Sequence, residues 1–182
     1  MSLIQKYVAI GPESTGKSTL CQNLADYFQT KWCPEFARTY LESHGKEYTY
    51  NDLLTIAHGQ IDAEDAYTRD VIRKNQHDLL IIDTDMHVMR VWCEYVFGNC
   101  HKFILDQIAQ RDYAGYLLCA PDLPWEADPL REYPDQKIRN ELFLYYKELI
   151  SSQKSPWIVI EGNYEKRIST AINFIEKGKD IL

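Results

Sequence analysis

An α/β fold built on a doubly wound, five-stranded parallel sheet with helices on both faces is what this sequence predicts, and three observations carry that expectation. Short β-rich runs alternate with longer stretches of helical periodicity. The runs are continuously apolar, which suits strands covered on both faces. The first run passes through a glycine-containing loop directly into a helical pattern.

Taken in order, the strands fall at Tyr7-Val8-Ala9-Ile10, around Lys31-Trp32-Cys33, at Leu79 to Ile82, at Tyr116-Leu117-Leu118-Cys119 and at Trp157-Ile158-Val159-Ile160. Between them Leu20, Leu24 and Phe28 recur at helical spacing, as do Leu53, Ala57 and Ile61, and later Ile138, Leu142, Tyr145 and Leu149, so each gap holds at least one helix. Thr49-x-x-Asp52 is a capping-box pattern ahead of one helix; Asn163 is placed to cap the last helix and Gly178 to end it. The segment from Ala120 to Gln136 holds four of the seven prolines, five acidic residues, Trp125 and Arg131. It reads as a long surface excursion after the fourth strand, of the kind that forms lids and binding loops.

Length and composition bound the rest. With 182 residues and 45% hydrophobic content the chain can bury one core, so residues 1–182 are expected to form one domain. A formal charge of -7 argues against a protein that coats nucleic acid. The longest apolar runs are far shorter than a membrane helix requires, and the amino terminus lacks the pattern of a signal peptide, so a cytoplasmic location is expected. Five irregularly spaced cysteines and no Cys-x-x-Cys pair suit reduced thiols; Cys93, Cys100, His101 and His87 match no common zinc spacing.

The chemistry begins at Gly11-Pro12-Glu13-Ser14-Thr15-Gly16-Lys17-Ser18, between the first strand and the first helix. This is a complete P-loop in its strand-loop-helix context, which places the fold among P-loop NTPases. Its backbone amides and the helix amino terminus, from Gly11 to Thr19, are expected to hold the ATP phosphates. Lys17 serves the β and γ phosphates, and Ser18 offers its hydroxyl to Mg²⁺. Leu79-Leu80-Ile81-Ile82-Asp83-Thr84-Asp85 is an apolar strand ending on carboxylates, the Walker B arrangement. Asp83 is read as the second Mg²⁺ residue, and Asp85 either as facing the acceptor, where it or Glu35 would be the catalytic base, or as capping the following helix. Glu35 ends a neighbouring strand, where a carboxylate orients or deprotonates an acceptor hydroxyl, and Arg38 is placed to balance charge. The two also suit a surface ion pair. Trp32 and Tyr40 are candidates to stack on an aromatic ring or to fill the core.

Together with that loop, Pro34-Glu35-Phe36-Ala37-Arg38-x-Tyr40, Ile56-Ala57-x-Gly59-Gln60, Asp83-Thr84-Asp85 and Pro124-Trp125-x-x-Asp128-x-x-Arg131 give the chain a clear likeness. It resembles the ribosylnicotinamide kinase domain of the NadR proteins over most of its length. The resemblance implies transfer of the ATP γ-phosphate to the 5'-hydroxyl of nicotinamide riboside, giving nicotinamide mononucleotide. It also implies acceptor contacts from Glu35, Arg38, Tyr40, Asp85 and Trp125, and a lid over about residues 120–139 in which Arg131 acts in catalysis and Arg139 reaches the nucleotide. Pro129 departs from the glycine that relatives often carry there. A kinase for another nucleoside or small molecule, and a nucleotide-sensing module without turnover, are the competing readings. A mechanical AAA-type ATPase is disfavoured, because this length leaves no C-terminal helical subdomain.

Overall fold

A computed structural model of the protein describes residues 4–74 and 78–179. In chain order its elements are β1 (Gln5–Ile10), α1 (Lys17–Tyr27), β2 (Lys31–Cys33), α2 (Phe36–His44), α3 (Tyr50–Lys74), β3 (Leu79–Asp83), α4 (Met86–Phe97), α5 (Lys102–Gln110), β4 (Gly115–Cys119), α6 (Gln136–Ser151), β5 (Trp157–Ile160) and α7 (Tyr164–Lys179). The five strands form one sheet in the order β2-β3-β1-β4-β5, and every pairing is parallel. All five strands lie where the sequence predicts them.

The central strands β1, β3 and β4 are apolar over most of their length because both faces are covered. Tyr7 and Ala9 of β1 point into a core with Leu20, Cys21 and Leu24 of α1 and Ala171 and Ile175 of α7. Their neighbours Val8 and Ile10 point the other way, into a core completed by Val71 of α3, Val88 and Val91 of α4, and Leu142, Tyr146 and Leu149 of α6. A third cluster beyond the sheet joins α2, α3, α4 and α5 through Ala37, Leu53, Ile56, Met86, Met89 and Ile104.

Local signals act as the sequence suggests at two helix starts. Thr49 and Asp52 close a capping box, with Thr49 N donating to Asp52 Oδ2 at 2.7 Å and Asp52 N to Thr49 Oγ1 at 3.3 Å. Asn163 Oδ1 accepts Lys166 N at 2.9 Å ahead of the last helix. Gly178 behaves differently from expectation, since α7 continues through it to Lys179. Its hydrogen makes room for a neighbour: a Cβ there would lie 2.1 Å from the Tyr7 hydroxyl. Tyr7 is 1% exposed, so close packing of α7 on β1 accounts for this glycine.

The topology fixes the site. β1 lies between β3 and β4, and its register sets Ala9 against Asp83. The P-loop after β1 and the carboxylate ending β3 therefore emerge side by side at the carboxyl edge of the sheet, where open α/β sheets hold their ligands.

Candidate active site

The P-loop takes its shape from three residues with positive φ: Gly11 at 138°, Ser14 at 55° and Gly16 at 75°. At Gly11 a Cβ would come within 2.6 Å of the Cys119 carbonyl oxygen, so the backbone of β4 itself requires glycine. Thr15 Oγ1 closes the loop by donating to the Pro12 carbonyl at 2.8 Å. Lys17 leads into α1, and its Nζ donates to the carbonyls of Gly11 at 3.0 Å and Pro12 at 2.9 Å. Its ammonium thus lies along the inner rim of the loop.

Beneath the loop, Ser18 donates its hydroxyl to Asp83 Oδ2 at 2.5 Å. Asp83 is 1% exposed, and its other oxygen, Oδ1, has no hydrogen-bond partner within normal distance among the described residues. A buried carboxylate oxygen with no donor, beside a serine hydroxyl at a helix amino terminus, suits a hard divalent cation such as Mg²⁺. Burial raises the Asp83 pKa, while the charge of Lys17 and the Ser18 hydrogen bond oppose the rise. Next in sequence, Thr84 is held at φ 76°, a strained conformation for a β-branched residue, with its N–H donating to the Ala9 carbonyl at 3.1 Å. That turn separates the directions taken by Asp83 and Asp85.

Glu35 stands at the N-cap position of α2 and makes no capping bond with its side chain. Its carboxyl contributes instead to the wall of the cavity that also contains the P-loop. Burial and then the nearby Asp83 charge push its pKa up, against the lowering effects of Lys17 and Arg38. Arg38, one turn into α2, pairs with Asp128 of the excursion at 2.8 Å.

The excursion lies against the P-loop. Glu13 Oε2 accepts the backbone N–H groups of Glu132 at 2.9 Å and Tyr133 at 3.1 Å. Ser14 Oγ accepts Glu126 N at 2.9 Å and Arg131 Nη1 at 3.2 Å. Behind the loop, Arg139 of α6 is 1% exposed and donates to the Ser14 carbonyl at 3.0 Å. Burial, and after it the Arg131 charge, lower its pKa. Arg167 of α7, 3% exposed, donates to the carbonyls of Thr15 and Ala120, both at 2.9 Å, and pairs with Asp122.

The P-loop, Glu35, Arg38 and part of the excursion line one cavity of about 670 Å³, within the range of small-molecule sites. Gly11 to Thr19, Glu35, Arg38 and Arg131 all line it. Its lining also includes the aromatic residues Tyr48, Trp92, Tyr95 and Tyr133, together with Val88, Leu142 and Tyr146. Trp92 Nε1 donates to the Tyr48 hydroxyl at 2.8 Å, which donates to Glu132 Oε2 at 2.8 Å. Burial followed by the Glu13 charge raises the Glu132 pKa. With a phosphate-binding loop, a carboxylate and aromatic side chains in one lining, the arrangement can hold polyphosphate together with an aromatic ring.

Comparison with known proteins places this geometry. Residues 6–167 match AAA_28, described as an AAA domain. The chain belongs to this AAA domain family. It is 28% identical over 179 residues to the trifunctional NAD biosynthesis/regulator protein NadR of Escherichia coli strain K12, and 26% identical over 181 residues to the protein of the same name from Salmonella typhimurium. Each alignment covers 96% of this chain and 42% of the relative, so the chain spans well under half the length of those relatives. A crystal structure of NadR protein in complex with NR superposes with a TM-score of 0.71 at 20% identity, over 95% of this chain and 49% of that one. A deoxyadenosine kinase from M. mycoides superposes with a TM-score of 0.56 at 10% identity, covering 95% of this chain and 100% of that one. The likeness to NadR read from the motifs is borne out, and the fold is that of P-loop kinases.

In this AAA domain the structure brings Gly11 to Thr19, Glu35, Arg38 and Arg131 together around the cavity, with Asp83 directly under Ser18. Five expected contacts fall elsewhere. Asp85 is 2% exposed and caps α4, accepting His87 N at 2.9 Å; its other oxygen bonds His87 Nδ1 at 2.8 Å and accepts Tyr116 Oη at 3.3 Å. Both of its oxygens are thus engaged by α4 and β4, and it is not part of the cavity lining. Tyr40 stacks on His44 with centroids 4.2 Å apart and donates to Asp52 at 2.7 Å, joining α2 to the start of α3. Trp125 packs under Arg131 and Arg139, at 5.9 and 5.6 Å, and Arg139 supports the loop from behind. Trp32 is partly buried against the α1 side of the sheet. The aromatic wall escaped sequence reading, although α4 carries a signal for it. Met86, Met89 and Cys93 make one buried stripe, while Val88, Trp92 and Tyr95 make a second that no single core requires. Among the described residues no cluster of His, Cys, Asp and Glu is arranged to hold a metal by itself, and no helix is long and apolar enough to cross a membrane.

Proposed function

We propose that this domain is a cytoplasmic kinase that transfers the γ-phosphate of ATP to the 5'-hydroxyl of nicotinamide riboside. The observation that carries the reading is the single cavity whose lining combines the P-loop, a half-buried glutamate and an aromatic chamber. Nicotinamide riboside has a flat cationic ring, and the chamber offers the faces of Tyr48, Trp92, Tyr95 and Tyr133 with Glu47 and Glu132 nearby. The likeness to NadR proteins supports the same substrate.

Each residue then has a task. The loop amides and Lys17 hold the phosphates, and Lys17 exchanges its two carbonyl partners for phosphate oxygens. Ser18 and Asp83 would hold Mg²⁺, which supplies charge neutralisation at the β and γ phosphates. Glu35 takes the proton of the 5'-hydroxyl as it attacks; a raised carboxyl pKa brings it nearer the working pH of a general base. Arg131 stabilises negative charge on the transferring group. The excursion over about residues 120–139 serves as the lid that excludes water.

A coupled assay of ADP release across nicotinamide riboside, deoxynucleosides, purine and pyrimidine nucleosides and simple sugars tests the assignment. Turnover highest with nicotinamide riboside, yielding nicotinamide mononucleotide, is the expected result. Faster phosphorylation of another nucleoside would reassign the acceptor, and ATP binding without turnover on any acceptor would favour a sensing module.

A further inference from the structure

The pair Gly59-Gln60 in the middle of α3 lies outside the cavity wall, yet it meets the two strand ends on which the proposed chemistry depends. Gln60 is 2% exposed. Its Oε1 accepts Phe36 N at 2.8 Å, the amide immediately after Glu35. Its Nε2 donates to the Thr84 carbonyl at 3.0 Å and the Asp83 carbonyl at 3.4 Å. One side chain thus bridges the turn carrying Glu35 and the turn carrying Asp83. Gly59 secures the same turn from the helix surface: a Cβ on it would lie 2.1, 2.4 and 2.5 Å from three carbons of the Phe36 ring. Glu35 forms no capping bond of its own; its carboxyl meets Thr84 of the Asp83 turn, and its backbone is held through its neighbour Phe36.

We propose that Gly59 and Gln60 form a strut that fixes Glu35 against the Asp83 turn, making Gln60 a positioning residue for proton removal from the acceptor. This rests on the reading of Glu35 as the base. Bridging both turns needs an acceptor and a donor at the full reach of a glutamine. An asparagine is one methylene too short for both partners, and an apolar side chain of equal length leaves the Phe36 amide and the Thr84 carbonyl without partners. Displacement of a base by a fraction of an ångström slows proton transfer while leaving the phosphate cradle intact.

The test is a kinetic cycle with Gln60→Asn and Glu35→Gln on the full chain, together with amide hydrogen exchange at Phe36. In the wild-type background Gln60→Asn should lower kcat by about tenfold or more while KM for ATP stays within about threefold. In the Glu35→Gln background, where general-base removal still leaves measurable turnover, the same change should cost less than about twofold. Exchange at the Phe36 amide should quicken in Gln60→Asn. If Gln60→Asn does not fold, Gly59→Ala, which displaces Phe36 through its ring rather than its amide, replaces it in the cycle with the same expected split. Equal losses in both backgrounds, unchanged kcat, or unchanged Phe36 exchange would overturn the strut. A wild-type chain inactive on every nucleoside would overturn the kinase reading instead, and Phe36 exchange would then decide the strut by itself.

Discussion

Ser18 donates its hydroxyl to Asp83 Oδ2 across 2.5 Å, joining the first turn of α1 to the end of β3. The remaining oxygen of Asp83 is buried without a partner within normal distance among the described residues. Replacing Ser18 by Ala should therefore raise the Mg²⁺ concentration needed for half-maximal turnover by about tenfold or more, whereas Ser18→Thr keeps a hydroxyl and should remain near wild type. Mg²⁺ titration of ADP release checks this. An unchanged Mg²⁺ requirement in Ser18→Ala would remove Ser18 from the metal site.

Lys17 tests the other half of the cradle. Its Nζ bonds only to the carbonyls of Gly11 and Pro12 on the rim of the loop, so the core does not depend on it. Lys17→Ala should lose more than about 1.4 kcal/mol of transition-state stabilisation, a factor of ten, with little change in Tm. Turnover and thermal unfolding measured on the same preparation separate the two effects. Retention of most activity would show that the lysine does not meet the transferring phosphate.

Much of this arrangement was legible because it depends on local rules. The P-loop, the Thr49 and Asp52 capping box and the apolar strand ending on Asp83 each involve residues within a few positions of one another. What escaped depends on distance in space. Asp85 has the same chemistry as Asp83, and only the left-handed turn at Thr84 sends it to His87 and Tyr116. Arg167 reaches Thr15 across a separation of 152 residues, and nothing near it in sequence marks it as support for the loop. Gly178 carries the local signature of a helix end, but contact with Tyr7 from the other end of the chain decides its role.

That contact makes a stability prediction. A methyl group at position 178 would overlap the hydroxyl of Tyr7, whose ring is held edge-on by Phe174 in a closed core. Gly178→Ala should cost about 1–3 kcal/mol despite the higher helix propensity of alanine. Denaturant unfolding reads the loss directly. Combining it with Tyr7→Phe, which removes the clashing oxygen, should restore most of the stability; an additive result would locate the strain elsewhere.

Glu35 should trade stability for activity. Its carboxyl pKa is raised above the ordinary 4.5, chiefly by burial and then by Asp83. Ionisation is consequently harder in the fold than in the unfolded chain, so the favourable contribution is complete below the ordinary pKa and is lost as pH rises through the folded value. Glu35→Gln removes that loss and should raise Tm at neutral pH, with the gain shrinking under acid conditions. Turnover should fall by about a hundredfold or more, and the acid limb of the wild-type pH profile should lie above the usual glutamate range. A lower Tm at neutral pH would show that the carboxylate is stabilised where it stands.

Arg131 and Arg139 separate movement from support. Both meet Ser14, but Arg131 lines the cavity and donates to the serine hydroxyl, whereas Arg139 is buried behind the loop on the serine carbonyl. Arg131→Ala should cut turnover by about tenfold or more with a small change in Tm; Arg139→Ala should lower Tm, because it strips a buried carbonyl of its donor. Between them, Glu13 holds the excursion through the amides of Glu132 and Tyr133, contacts made by a loop residue to main chain that lies more than a hundred positions away. Glu13→Gln keeps an acceptor but loses the charge, so it should loosen the excursion without dissolving the P-loop. Limited proteolysis then reports on closure. Cleavage between about residues 120 and 139 should slow when an ATP analogue and nicotinamide riboside are both present, and should be faster in Glu13→Gln than in wild type. Cleavage independent of ligands and of Glu13, with full turnover in Arg131→Ala, would make the segment a fixed wall and leave catalysis to Lys17, Asp83 and Glu35.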